Sequence, residues 1–549
     1  EIAREYEQFK TNRATWESHW TEIAQRIMPR AAEFNIDVTP GAKRTEKIYD
    51  ATAALALDRF GAAIESLLTP RASRWHSLRS TNDELNRIHA VRLYFDQVED
   101  ALFKRRYSPA ANFASQTHEV YLSLGAFGTG GIFVTDPPND DVGLRYRVVP
   151  LSGLFIAEDE TGIVDTVYRM AKMTPRQMAM KWGKDKISRD SQRKLEKDSE
   201  ARIEVVHLVK PNKDRDPTSP LSIKKPFVSV WFEPEFFNEL EVGGYDEQPY
   251  LVSRYNSSPS EVFGRSPATV ILPDIKMINE MSKTVIIAAQ KVVDPPLIIA
   301  DDGVTLPVNT KAGGSTFARI EGRGAQAPVL PLNTGARVDI GLDMMDQRRQ
   351  TINDAFLISL FQILVDTPNM TATEVMSRAQ EKGALLAPTV GRQQSEFLGP
   401  LIARELMILS RQGELPDMPP ELVEAEGEYT VEYVSPLARA QRAEEGVGIL
   451  RTIESIQPFA QVDPGVFDNF DLDEITRTLA DINGMPQRTL TDERAMAEER
   501  QARAQQAQAA QAMEAGAQMA PAAKDGSQAL LNMAQLAEGG GEEAPVAGP

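Results

Sequence analysis

Trp16, Trp20, Ile23 and Ile27 recur at the three- and four-residue spacing of one helix face, and Pro29 ends the pattern. A second helix is predicted from about Asp50, with Leu55, Phe60, Ile64, Leu67 and Leu68 apolar before Thr69 and Pro70 stop it. A third spans 85–107 on Ile88, Val91, Leu93, Phe95, Val98 and Leu102. The period then shortens. Segments 131–135, 144–149, 153–157, 162–170, 202–209 and 227–233 are short and rich in β-branched and aromatic residues. Pro, Gly and Asp clusters separate them, which predicts an antiparallel, meander-like β region.

The helical period returns over 267–293, where Ile271, Ile275, Ile278, Val285 and Val292 lie near one face and Lys276, Glu280 and Lys283 near another. Asp294-Pro295-Pro296 stops it. Residues 294–336 mix Pro and Gly too densely for a helix, with strand candidates at 297–300 and 315–320. A second helix is predicted over 338–357 on Val338, Leu342, Met345, Ile352 and Phe356. The layout is helix, compact non-helical insert, helix: a stalk with a head. An apolar loop, 359–370, follows. Thr371 and Glu374 then form a capping box for a helix interrupted at Pro388 and at Gly399-Pro400, so a kinked helix is expected. A returning strand at 429–434 and helices around 439–456 and 472–482 come next. From about Thr491 the chain is Ala/Gln-rich, then decays through Gly539-Gly540-Gly541 into an end expected to be disordered. No internal repeat is found.

The 549 residues exceed what one core supports, and about 150 residues per domain suggests roughly three to four domains. No apolar run approaches the roughly 18 residues of a membrane helix. The opening Glu1-Ile2-Ala3-Arg4-Glu5 is polar and lacks the pattern of a secretory signal. With no cysteine, disulfides, thiol nucleophiles and Cys-based metal sites are excluded. Sixty basic face 79 acidic side chains, a net charge of −19, and residues 421–549 hold 9 basic against 23 acidic. That balance argues against tight, non-specific duplex binding, yet not against surrounding DNA loosely and letting it slide.

Catalytic chemistry finds no foothold. His118-Glu119 begins like a zinc-protease helix, but Leu122 stands where the second ligand belongs. Gly125-Ala126-Phe127-Gly128-Thr129-Gly130-Gly131 looks like a phosphate loop, yet no Gly-Lys-Ser/Thr follows, and a helix-to-strand connection explains it. Asp136, Asp140, Asp141, Asp301 and Asp302 read as turn carboxylates. Neither a Ser-His-Asp set nor a Gly-x-Ser-x-Gly elbow is recognisable. No cofactor and no enzymatic activity are expected.

Several segments together resemble the portal, or head-to-tail connector, proteins of short-tailed bacteriophages. They are Trp16 and Trp20 before Pro29; Ile48-Tyr49-Asp50; Thr69-Pro70 before Trp75; and Phe127-Gly128-Thr129-Gly130. Further along come Phe263-Gly264-Arg265-Ser266-Pro267-Ala268, Leu272-Pro273-Asp274-Ile275-Lys276, Asp294-Pro295-Pro296-Leu297, Met370-Thr371-Ala372-Thr373-Glu374-Val375 and Ser435-Pro436-Leu437-Ala438-Arg439-Ala440. Each is weak alone; their order and spacing over residues 10–445 carry the match. Beyond about Gln487 nothing specific matches.

The resemblance implies an α+β portal fold: a helical stem, a mixed α/β wing, a small clip lobe and a helical C-terminal crown and barrel. On this sequence it would place N-terminal helices and wing at 1–265, stem helices at 266–293 and 337–358, and the clip at 294–336. A channel loop would fall at 359–370, a kinked wing helix and return strand at 371–435, crown helices at 436–490, and a barrel-like helix with an acidic tail at 491–549. It further implies a homo-oligomeric ring, usually of twelve subunits, at one capsid vertex of the virion, assembled in the host cytoplasm. Double-stranded DNA would pass through the ring during packaging by terminase and during ejection. Capsid, scaffolding and tail or adaptor proteins would be partners, and a membrane would not. The rival readings are another structural ring or adaptor of the neck or tail, and a nuclease or motor subunit, which would need a phosphate loop or metal carboxylates.

Three residue sets follow as expectations. Ile271, Ile275, Ile278 and Val285 offer more apolar surface than one paired helix needs, so neighbouring stems are expected to cover them. Lys311, Arg319 and Arg323 are the candidate docking charges of the clip. Leu360, Phe361, Ile363, Leu364, Asp366, Thr367 and Asn369 are candidates to project into the channel as a soft valve against back-slipping DNA.

Overall fold

The computed structural model describes residues 2–31, 34, 41–137, 141–216, 218–219, 221–299, 329–331, 338–358, 387–425, 428–433, 436–460, 464–483, 485, 487–491 and 495–510. The predicted channel loop and the strand expected at 315–320 lie outside them. The chain divides into two compact units: a larger one of Glu1–Arg79, Gln97–Asp417 and Tyr429–Glu445, and a smaller one of Ser80–Asp96, Met418–Glu428 and Gly446–Pro549. Helices and strands together bear out the α+β class. No described helix is long and apolar enough to cross a membrane.

The larger unit is built around two antiparallel sheets. β2 (Thr129–Thr135), β3 (Arg145–Val149) and β9 (Tyr250–Arg254) form one, in the order β3-β2-β9. The other is the expected meander: β4 (Leu154–Glu158), β5 (Val164–Met173), β6 (Ile203–Pro211), β7 (Phe227–Glu233) and β8 (Asn238–Tyr245), each paired with its sequence neighbour. All six strands predicted in this region form. The alternation of β5 to β7 places Tyr168, Val206, Leu208, Val230 and Phe232 on one face, where Tyr6 of α1 (Ile2–Ile27) packs on them. Arg13 fixes that helix in place, since its guanidinium donates to the carbonyls of Leu151, Ser152 and Leu154 and lies 3.7 Å from the Phe155 ring centre. The opposite face is partly covered by Met178 and Trp182 of α5 (Pro175–Trp182) and by Leu195 of α6 (Arg189–Lys197).

Some elements lack the expected pattern, for physical reasons. Edge strand β8 buries only Leu240 of its eight residues, so its sequence shows no apolar alternation. β9 is buried at every position and α4 (Phe113–Phe127) at nine of fifteen, and an element covered on most sides shows no clean face to betray its period. β1 (His76–Ser80) pairs with β12 (Tyr429–Tyr433), the predicted return strand.

α2 (Thr52–Leu68) and α3 (His89–Arg106) form close to their expected bounds. α3 ends at Arg106, whose guanidinium is bound by Glu405 on α9 (Gly399–Arg411), both side chains fully buried. Tyr146 donates to the same carboxylate at 2.5 Å. Burial alone would lower the guanidinium's proton affinity, but Glu405 more than reverses this and holds it charged. Arg106 also donates to His76 Nε2 at 3.0 Å; a guanidinium can only donate, so the imidazole proton belongs on Nδ1. Burial, followed by the charges of Arg106 and Arg74, pushes the His76 pKa well below its ordinary value and keeps the ring neutral.

The expected kink near Gly399-Pro400 takes a definite form. Helical residues 387–393 run into one π turn, Gln394–Leu398, before α9. The Gly399 N–H reaches back five residues to the Gln394 carbonyl, which also accepts from the Tyr433 hydroxyl. A π turn reassigns the carbonyls that Pro400 cannot serve. In the smaller unit, α10 (Pro420–Glu424) precedes the second half of α11 (Pro436–Ala460), and α12 (Leu472–Ile482) is capped by Asp471. Gly446 lets α11 approach Ile482 closely. Residues 495–510 are helical.

Removing one partner of the Arg106–Glu405 pair strands a buried charge. Arg106→Met is expected to destabilise the subunit by about 3–5 kcal/mol. The double variant Arg106→Met/Glu405→Gln should recover part of that loss, measured as thermal unfolding midpoints.

Candidate functional site at the foot of the helix pair

α7 (Pro267–Val293) and α8 (Val338–Ala355) are the predicted stalk helices, found at the expected positions. They run antiparallel: Arg348 pairs with Asp274 at 2.8 Å, and Gly341 sits against Val285 further out. Beyond them β10 (Leu297–Ile299) pairs with β11 (Val329–Pro331), so the first strand expected in the insert forms, with 329–331 as its partner.

The foot of α7 is built from the segments that carried the family resemblance. Ser266 caps the helix: its Oγ accepts from Thr269 N at 3.0 Å, and Pro267 fills the first turn, where a missing N–H does no harm. The Ser266 hydroxyl also donates to the Ala126 carbonyl. Gly128 ends α4 with φ of +82° and crosses Gly264 backbone to backbone. A Cβ on Gly128 would stand 2.4 Å from the Gly264 oxygen, and one on Gly264 would stand 2.2 Å from the Gly128 oxygen. Gly264 N donates to Thr129 Oγ1, and Tyr255 N to the Gly128 carbonyl. The glycine run that looks like a phosphate loop is thus a close backbone crossing. Trp16, Trp20, Phe34, Phe127 and Phe263 pack around it with ring centres 5.0–5.9 Å apart.

A second knot lies one face round. Asn279, buried mid-helix in α7, accepts from the backbone N–H of Tyr49 (2.8 Å) and Asp50 (3.2 Å), while Ser282 donates to the Tyr49 carbonyl. Asp50 in turn accepts from Thr52 N at the start of α2 and from Arg349 of α8 at 2.8 Å. Burial pushes the Asp50 carboxyl up, but the hydrogen bonds from Thr52 and the Arg349 guanidinium outweigh it and hold the pKa below the usual carboxylate value. Lys276 pairs with Glu22 of α1 and lowers that carboxyl too. Segment 48–50 is therefore the strap that joins α2, α7 and α8. The sequence reading missed Asn279, Ser282 and Arg349; the available signal was a polar Asn beside an otherwise apolar face.

Three of the four residues expected to face a neighbouring stem are instead covered by their own chain. Ile271, Ile275 and Ile278 are buried within their own subunit, Ile278 at 1% exposure, and Val285 is half-buried. α1, α4 and α8 cover them. The apolar side chains that α7 leaves in solvent are others, including Val270, Met277, Ile286 (47%) and Val293 (86%), with Ile340, Leu342 and Met344 on α8. Lys311, Arg319 and Arg323 lie outside the described residues, as do Leu360, Phe361, Ile363, Leu364, Asp366, Thr367 and Asn369. Among the described residues no group of His, Asp and Glu is placed to hold a metal. His118 hydrogen-bonds Glu65 instead. An open cleft of about 470 Å³ beside residues 388–396 is polar, but its Arg254 is already clamped by Glu158 and Glu396.

Asp50→Asn can keep the hydrogen bond from Thr52 N but weakens the hold on Arg349. Hydrogen exchange over 338–355 should quicken, by an amount matching about 1 kcal/mol at neutral pH. A carboxyl with a lowered folded pKa contributes stability above its unfolded value of about 4 and loses it as pH falls through the folded pKa. The gap between variant and wild type should therefore close below about pH 4.

Residues 1–490 match the family described as "Bacteriophage head to tail connecting protein". A probable portal protein of Bordetella phage BPP-1 is 32% identical over 509 residues, covering 90% of this chain and 89% of the relative. The portal protein of Salmonella phage epsilon15 is 29% identical over 511 residues, covering 92% and 90%. The glycine crossing, the aromatic cluster and the 48–50 strap all fall inside the matched span, and the chain belongs to the bacteriophage head-to-tail connecting protein family.

Proposed function

We propose that this chain is the portal subunit of a phage capsid, twelve copies closing into a ring at one vertex through which double-stranded DNA enters and leaves. The observation that carries the reading is the stalk. α7 and α8 cover their inner apolar face within the subunit and still leave Met277, Ile286, Val293, Leu342 and Met344 in solvent. So much apolar surface along one helix pair calls for a further partner, and a second copy of the same pair supplies a matching one. The stalk, its insert and the wing-like sheets then act as stem, clip and wing. Terminase and tail or adaptor proteins would dock on the clip, and capsid and scaffolding proteins around the wing. The net charge of −19 per chain favours passage of DNA over grip, because a repelled polyanion slides. The role is structural; the chain serves as conduit and platform within the virion, assembled in the host cytoplasm.

Two substitutions on α7 separate folding from assembly. Ile286→Asp, on the solvent side, should leave the thermal midpoint of the subunit nearly unchanged while native mass spectrometry shows the ring lost. Ile278→Asp buries an unpaired carboxylate and should prevent stable folding, at about 3 kcal/mol or more. Rings of Ile286→Asp indistinguishable from wild type would remove α7 from the interface.

A further inference from the structure

The seam between the two sheets of the larger unit gathers positive charge. Leu154, Arg169, His207, Trp231 and Glu241 are lateral neighbours in register across β4 to β8, on the face turned away from α1. Phe133 of β2 and Tyr250 of β9 close over this face. His207 Nδ1 meets the Tyr250 hydroxyl at 2.5 Å, and the Phe133 ring lies 4.7 Å from that of Tyr250 and 6.0 Å from the imidazole. Trp231 stacks on His207 at 4.0 Å, nearly parallel. Three cations stand on this aromatic floor. Lys181 of α5 places its ammonium 3.5 Å from the Trp231 ring centre, and the Arg169 guanidinium sits 5.6 Å from that of Phe133. Arg147 is the lateral neighbour of Phe133 on β3.

Elsewhere in the unit buried cations are answered by carboxylates: Arg106 by Glu405, Arg254 by Glu158 and Glu396, Arg404 by Glu247. Here, among the described residues, no carboxylate comes within ion-pair distance of Arg147, Arg169 or Lys181, although Arg169 is only 5% exposed. Glu241 faces Lys181 but is held by Trp182 Nε1 at 2.7 Å. Burial, with Arg169 and Arg147 acting against Glu241, takes the Lys181 ammonium down to about 8, and burial followed by Arg169 lowers Arg147. A buried cation without a counter-charge, as Arg169 is, is costly, and with Arg147 and Lys181 reaching solvent beside it an anion is the missing component.

We propose that this seam binds a phosphate group between Arg147, Arg169 and Lys181. Two planar guanidinium forks suit tetrahedral phosphoryl oxygens, and the ammonium adds a point charge. Three cations against Glu241 leave two net positive charges, the match for a phosphate dianion or for two successive phosphodiesters. The source is either free inorganic phosphate or the backbone of a nucleic acid lying against the wing.

The purified full-length protein tests this by calorimetric titration with inorganic phosphate and by anisotropy of a labelled short DNA duplex at low salt. Arg147→Ala/Lys181→Ala is compared with wild type; both positions are solvent-facing, and an unchanged melting temperature without phosphate checks the fold. Single Arg147→Ala replaces the pair if that temperature falls. Binding about tenfold or more weaker in the variant is expected, from the loss of charge-assisted hydrogen bonds. Weakening in the duplex arm, with or without phosphate, assigns the site to nucleic acid; weakening with phosphate alone assigns it to the free ion. Equal binding by variant and wild type in both arms overturns the proposal.

Discussion

The contact on which the larger unit depends is the crossing of Gly128 and Gly264, where two backbones approach more closely than any side chain would allow. Gly128 ends α4 in the left-handed region and turns the chain into β2; Gly264 delivers it to the Ser266 cap of α7. One crossing thus sets where the central strand of a sheet begins and where the long stalk helix leaves. Thr129, Ser266 and Tyr255 tie its polar groups, and Trp20, Phe127 and Phe263 exclude water from it. Any Cβ at either glycine meets a carbonyl oxygen, which cannot rotate away.

From that foot the stalk is held on a second side by charge. Asp50 collects hydrogen bonds from the start of α2 and from α8, while Asn279 of α7 holds the backbone on which Asp50 sits. Three helices distant in sequence therefore share one short strap. Far from it, the Arg106–Glu405 pair closes the core with no exposed surface at all. Both knots are polar inside apolar surroundings, an arrangement that fixes geometry more than it adds stability.

Much of this was legible in the sequence because the signals are local. The stalk helix begins and ends where Ser266-Pro267 and Asp294-Pro295-Pro296 say it should, and the meander strands carry their own alternation. The edge strand β8, too polar, the mostly buried α4 and the fully buried β9 escaped because periodicity reports a half-covered surface. Ile271, Ile275 and Ile278 were expected to face a neighbour and are covered within the subunit for a related reason. The inner face of α7 is the more regularly apolar, yet it is satisfied by the chain's own α1, α4 and α8, and pattern alone cannot say which partner covers a face. Asn279 with Asp50, and Arg106 with Glu405, are separated by hundreds of residues and become partners only in the fold.

The proposed role stands on closure of these subunits into a ring around an open axis, which electron microscopy of the purified full-length protein reveals. Closed rings with an axial channel are expected, most of them twelvefold, with the α7–α8 stalks lining the neck. Isolated subunits at concentrations where portal rings are stable, or assemblies without an axial opening, would contradict it.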